Sequence, residues 1–182
     1  RLPQSFQEYA LSVHGEGATR GVAAAASCAD CHSVHNLKSS ADPASPINPR
    51  NVAATCGQCH PDIQIQYERS IHGRALYAGI KDSPTCTDCH GEHLILSPRN
   101  PEARVSGISQ AEETCGRCHD DPLIIAKYGF EAGVVGSYLD SYHGWANRAG
   151  DGRAASCMDC HTAHLVLPKA DSASSISDRN IV

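Results

Sequence analysis

The chain has 182 residues and a formal net charge of −5, which argues against nucleic acid as a partner, because phosphate binding needs clustered Lys and Arg. Aromatic residues make up only 5%, with one Trp, two Phe and one Met, so an apolar core built from side chains alone would be thin. No run of 18 apolar residues is present to span a membrane, and residues 1–20, starting at Arg1, read as a mature secreted product whose signal peptide is gone.

In chain order, the first element is PQSFQEYALSVHG (3–15), which reads as a helix opened by Pro3. Within it Tyr9, Ser12, His14 and Gly15 spell Y-x-x-S-x-H-G, with Gly15 expected to stop the helix. Cys28, Cys31 and His32 follow as C-x-x-C-H, lengthened by His35 to C-x-x-C-H-x-x-H. A loop, ADPASPINPRNV (41–52), leads to T-C-G-x-C-H through Thr55, Cys56, Cys59 and His60.

The same order then recurs. Tyr67 and His72 carry Y-x-x-S-x-H-G; Cys86, Cys89, His90 and His93 carry C-x-x-C-H-x-x-H; Thr114, Cys115, Cys118 and His119 carry T-C-G-x-C-H. An apolar insertion, DDPLIIAKYGFEAGVVGS (120–137), is expected to be a packing helix or a loop over an exposed cofactor edge, with an interface to another chain as the alternative. Tyr138 and His143 open a third round, followed by Cys157, Cys160, His161 and His164. The chain thus reads as one domain of three repeats: 1–60 and 61–127 with two C-x-x-C-H sites each, and 128–182 with one. No convincing strand alternation occurs, so the expected fold is mainly α with extensive irregular loops.

All ten cysteines lie in C-x-x-C pairs, and each pair is followed at once by histidine. With eleven histidines in the chain, five such followers arise by chance about once in a million. A disulfide framework gives no reason for them. Zinc sites close on two C-x-x-C pairs, and five pairs is an odd number. Covalent haem needs all three residues: two thiols to add to the vinyl groups and a following imidazole to reach the iron. Five haem c groups are therefore expected on these cysteines, with His32, His60, His90, His119 and His161 as proximal ligands. Haem would then fill the interior that aromatics do not. Attachment of this kind is completed outside the cytoplasmic membrane, which places the protein in the periplasm or beyond.

Six histidines remain: His14, His35, His72, His93, His143 and His164. All stand in fixed register with haem sites, which makes them candidates for the distal ligand. A histidine three residues after the proximal one lies on the proximal side of its own haem. His35, His93 and His164 are thus expected to ligate a different haem. His14, His72 and His143 each precede a cysteine pair by 14 residues and could serve their own haem or another. Six candidates for five irons leave a surplus in the third repeat. There ADSASSISDRNI (170–181) repeats the loop at 41–52, and a further cysteine would fall at about residue 185 in that register. A sixth site beyond the sequence, a lost one, or a haem of a neighbouring copy would each account for the surplus.

Taken together, C-x-x-C-H, C-x-x-C-H-x-x-H and S-x-H-G resemble the multihaem c-type cytochromes built from two-haem modules, such as periplasmic pentahaem electron carriers and filament-forming extracellular cytochromes. The resemblance implies stacked haems, distal histidines and electron transfer, as a shuttle between redox proteins or as a polymer exchanging ligands between copies. The alternative is a reductase of a small oxyanion or metal ion at one open haem. Its relatives typically carry C-x-x-C-K, which is absent here, and Met158, trapped between Cys157 and Cys160, is a poor axial ligand. The expectation is therefore an electron carrier and not an enzyme.

Overall fold

The computed structural model describes residues 2–107 and 109–181, and no strand occurs among them. The mainly helical, loop-rich class expected from the sequence is the one adopted. Two compact units form, Arg1–Ser97 and Pro98–Val182. Their boundary falls inside the second sequence repeat, so compactness and repetition divide the chain differently.

The first unit contains α1 (Gln4–Leu11), α2 (Val13–Thr19), α3 (Cys28–His32), α4 (Val52–Gly57), α5 (Pro61–Arg69), α6 (Ile71–Tyr77) and α7 (Cys86–His90). Pro3 caps α1 and Pro61 opens α5, positions where a missing N–H costs nothing. Ala53, Tyr67 and Leu76 form the buried apolar cluster, with Cys86 packed on it.

Gly15 does not stop a helix, contrary to the sequence expectation. The break comes earlier, at Ser12, whose backbone is extended with ψ 162°. Ser12 Oγ then caps α2, accepting from Gly15 N at 3.1 Å while donating to Tyr9 O at 2.7 Å. A Cβ on Gly15 would lie 2.0 Å from Tyr9 O, so only glycine fits where the second helix turns against the first. The same arrangement recurs at Ser70 and Gly73, and at Ser141 and Gly144, with Cβ-to-carbonyl approaches of 2.1 and 2.2 Å. The tyrosine of each motif reaches the carbonyl two residues before the next cysteine pair: Tyr9 to Ala26 at 2.9 Å, Tyr67 to Pro84 at 2.8 Å, Tyr138 to Ala155 at 3.0 Å. Y-x-x-S-x-H-G is therefore a clamp that fixes where C-x-x-C-H begins.

The second unit holds a π-helical turn, Gln110–Cys115, then α8 (Gly116–His119), α9 (Pro122–Tyr128), α10 (Val134–Leu139), α11 (Tyr142–Arg148) and α12 (Cys157–His161). The apolar insertion forms α9, a loop and the start of α10; no residue of α9 is buried, whereas Val135 of α10 is. Asp121 caps α9 through Leu123 N at 2.7 Å, Gly129 ends it in the left-handed region, and Phe130 follows in the loop.

Among the described residues, eleven buried side chains are polar and nine apolar, so side-chain hydrophobicity does not dominate the interior. Most of the polar ones bond to loop backbone, while Ser177 Oγ is buried with no hydrogen-bond partner. Ser45 Oγ donates to Lys38 O and Asn51 Nδ2 to Ser45 O. In the C-terminal segment Ser174 Oγ donates to Leu167 O and Asn180 Nδ2 to Ser174 O at the same offsets.

Candidate haem sites

Three cysteine pairs sit on the five-residue helices α3, α7 and α12, and each helix starts with a reciprocal cap. In the first, both N–H and Oγ of Ser27 donate to Asp30 Oδ2 at 2.7 Å. Thr85 with Asp88, and Ser156 with Asp159, repeat this pairing. The cap forces one helical turn and so puts both thiols of C-x-D-C on one face. Side-chain hydrogen bonds from Ser27 and Ser156 hold the Asp30 and Asp159 carboxyls below their ordinary range. The residue after the histidine of each of these three C-x-D-C-H turns has positive φ: Ser33 at 68°, Gly91 at 85° and Thr162 at 64°. That reversal carries the chain back toward the H-x-x-H histidine.

The T-C-G-x-C-H sites are built differently. Thr55 Oγ1 donates to Pro46 O at 2.7 Å and Thr114 Oγ1 to Arg104 O at 2.6 Å, anchoring each pair to the preceding loop. The glycine admits a close neighbour: a Cβ on Gly116 would lie 2.6 Å from Ala111 O in the π-helical turn.

The structure brings two histidine pairs together. His32 and His93 stack with ring centroids 6.0 Å apart and planes 8° apart. His14 and His60 stand 6.5 Å apart at 39°. His93 thus lies against the histidine of the first site, and His14 against that of the second. His72, His90, His119 and His164 are half-buried, while His35, His143 and His161 are exposed. Phe130 stacks on His119 at 5.2 Å, and Tyr142 meets His143 edge-on at 5.8 Å. Burial first, then the neighbouring imidazole, lowers the pKa of His14 (beside His60) and of His119 (beside His161); burial alone lowers that of His164. All three are biased to the neutral form that binds metal.

No disulfide joins any of the ten cysteines. The Cys86 thiol donates to Cys56, pulling the latter down to about 7 and pushing its own pKa up. Cys115 and Cys157 interact in the same way, with Cys157 brought to about 7. A T-C-G site and the following C-x-D-C site therefore abut through their first cysteines in each unit. Cys31 is raised chiefly by burial. Met158 is held by its backbone N–H, which donates to Gln110 Oε1 at 3.1 Å. Sequence reasoning missed Gln110, Asn147 and the S/T-C-x-D cap. Only the last had a readable signal, the S/T-x-x-D spacing.

These residues fit haem. Two metal–imidazole bonds of about 2 Å each, plus half a ring at either end, put coaxial imidazole centroids about 6 Å apart on one iron. Both observed pairs have that separation. Among the described residues no three His, Cys, Asp or Glu side chains converge on a bare metal ion.

Residues 68–174 match the family model of cytochrome c7 and related cytochrome c, a stretch that includes the cysteine pairs at 86, 115 and 157. No curated protein and no solved structure matches the chain. With its helical fold, paired thiols and facing imidazoles, the chain belongs to the cytochrome c7 and related cytochrome c family, multihaem c-type cytochromes with covalent haem that carry electrons between redox partners.

Proposed function

We propose that this chain carries electrons outside the cytoplasm through five covalently held haems, one on each C-x-x-C-H, each gripped by two imidazoles. The observation that carries the reading is the His32–His93 pair, with ring centroids 6.0 Å apart, a separation that two imidazoles on one iron would have. His14 and His60 give the second instance. Haem, when bound, supplies a one-electron couple, and the protein sets its ligands, burial and spacing.

The cysteines fix each group to a capped turn or an anchored loop, so that it stays in place through oxidation and reduction. His14 and His93 would each supply a second imidazole to an iron, which would leave that iron no open position for a substrate. His72 and His164, at matching sequence positions, are assigned the same role, and His35 and His143 are the remaining candidates for it. The three repeats, 1–60, 61–127 and 128–182, are the units of this arrangement. No described helix is long and apolar enough to cross a membrane.

The experiment is the intact denatured mass together with low-temperature electron paramagnetic resonance. Five haem increments and only low-spin ferric signals are expected. Fewer than five increments, or a high-spin signal of one iron per chain in fully assembled protein, sinks the reading.

A further inference from the structure

The three copies of Y-x-x-S-x-H-G share one frame, and the third differs from the others on its surface. The positions one before, two after and five after the histidine hold Val13, Glu16 and Thr19 in the first copy. They hold Ile71, Arg74 and Tyr77 in the second, and Tyr142, Trp145 and Arg148 in the third. The serine cap is the same in all three, and all nine residues are exposed, so packing does not dictate the change. Trp is highly buried on average, yet the chain's one Trp is 63% exposed and Tyr142 is 70% exposed.

A lone exposed aromatic needs no explanation. These two line one groove of about 390 Å³ together with Leu139, Asp140, Ser141 and Arg148, a volume in the range of small-molecule sites. Among the described residues its lining holds neither a cysteine nor a histidine, so the groove is not the bed of a haem. It adjoins a candidate haem ligand, because Tyr142 meets His143 edge-on at 5.8 Å. The rim narrows the occupant. Two aromatic faces favour a planar ring system. Arg148 Nη2 donates to Leu139 O at 2.7 Å, and the other N–H groups of the guanidinium suit a carbonyl oxygen. Asp140 is exposed; its carboxylate accepts hydrogen bonds and repels an anion. A donor for C=O beside an acceptor for O–H matches the oxidised and reduced forms of a quinone.

Resting on the electron-carrier reading above, we infer that the groove of Tyr142, Trp145, Asp140 and Arg148 binds an uncharged quinone, and that electrons leave the chain there. Tyr142 and Trp145 stack on the ring, Arg148 donates to a carbonyl oxygen, and Asp140 accepts from the hydroxyl that replaces a carbonyl on reduction. In each turnover two ferrous irons become ferric. The quinone takes up their two electrons and two protons from water and departs as the hydroquinone.

The test uses the haem-loaded chain of residues 1–182 and 2-methyl-1,4-naphthoquinone. Calorimetry on the oxidised protein is expected to show one site per chain. Trp145→Glu and Tyr142→Val install the residues of the first copy at exposed positions, and each should weaken binding about tenfold. Leu123→Ala, at an apolar position that is 78% exposed outside the groove, should leave binding unchanged. When the prereduced protein is mixed with the quinone, the rate of haem oxidation should saturate, and Trp145→Glu should lower its second-order limit by the same factor. Reduction of this quinone in solution but not of a long-tailed menaquinone in phosphatidylcholine vesicles assigns the ligand to water, and reduction of both assigns it to a membrane. Absence of saturable binding by wild type overturns the inference, as does an equal loss in Leu123→Ala. Binding lost in Trp145→Glu with an unchanged oxidation rate also overturns it, because electrons then leave elsewhere. With five low-spin haems present, each of these failures leaves the electron-carrier reading standing; a wild-type chain short of haem fails that reading and this inference with it.

Discussion

His32 and His93 are 61 positions apart in sequence, yet their rings lie 8° from parallel with centroids 6.0 Å apart. His14 and His60 form a separate pair at 6.5 Å. If each pair grips its own iron, removing one partner from each opens two different axial positions. His93→Ala and His14→Ala are each expected to bind one carbon monoxide per reduced chain beyond wild type, and the double variant two. Added imidazole should close the opened sites. A double variant that binds only one more than wild type would mean both histidines serve the same haem.

Gly144 and Gly136 lie on neighbouring helices and should respond oppositely to alanine. A Cβ at Gly144 would sit 2.2 Å from Tyr138 O and 2.7 Å from Leu139 Cα, both backbone atoms that cannot yield, whereas nothing lies within 4 Å at Gly136. Gly144→Ala is expected to destabilise by about 1–3 kcal/mol. Gly136→Ala, in the α10 helix, should stabilise by about 0.5–1 kcal/mol through lost backbone freedom in the unfolded chain. Denaturation midpoints of the haem-loaded proteins check both signs.

The clamp tyrosines should not be equivalent. Tyr67 Oη donates to Pro84 O at 2.8 Å. Tyr138 Oη donates to Ala155 O and also accepts from Asn147 Nδ2 at 2.8 Å. Asn147 is buried at 3% exposure and bonds Ala154 and Ala155 carbonyls as well. Tyr67→Phe loses one hydrogen bond, about 1 kcal/mol, and Tyr138→Phe loses two, about 2 kcal/mol. Equal losses in thermal unfolding would show that Asn147 finds another acceptor.

Much of the site was legible because covalent haem chemistry dictates residue spacing. Cys28–Cys31–His32 and its four counterparts can be read without any structure, and so can the recurrence of Y-x-x-S-x-H-G. The helical class followed from the absence of alternation. What the motif does locally was misread at Gly15, because the constraint comes from Tyr9 O, six residues back, and depends on how sharply the chain turns at Ser12. The pairing of His93 with His32 was legible only as an exclusion: three residues is too short a reach around a porphyrin. Which haem His93 would face required the fold. Gln110 and Asn147 look like ordinary loop polars in sequence, since nothing local marks a residue that a distant backbone N–H or carbonyl will claim.

Phe130 tests what the apolar insertion does for the haem proposed at His119. The insertion places α9 between Asp121 and the left-handed Gly129, so that the chain reverses and lays Phe130 on the His119 ring, 5.2 Å away with planes 18° apart. His119 lies in the half-buried class, and burial is the first cause of its lowered pKa. Phe130→Ala removes an apolar face from that imidazole and lets water approach. Water stabilises the more highly charged ferric state, so the potential of one haem should fall, on the order of tens of millivolts. Phe130→Leu keeps the apolar cover without the ring and should stay near wild type. Potentiometric titration followed by optical and magnetic spectra separates that haem from the rest. An unchanged potential in Phe130→Ala would mean that the insertion shields the ligand without tuning the iron.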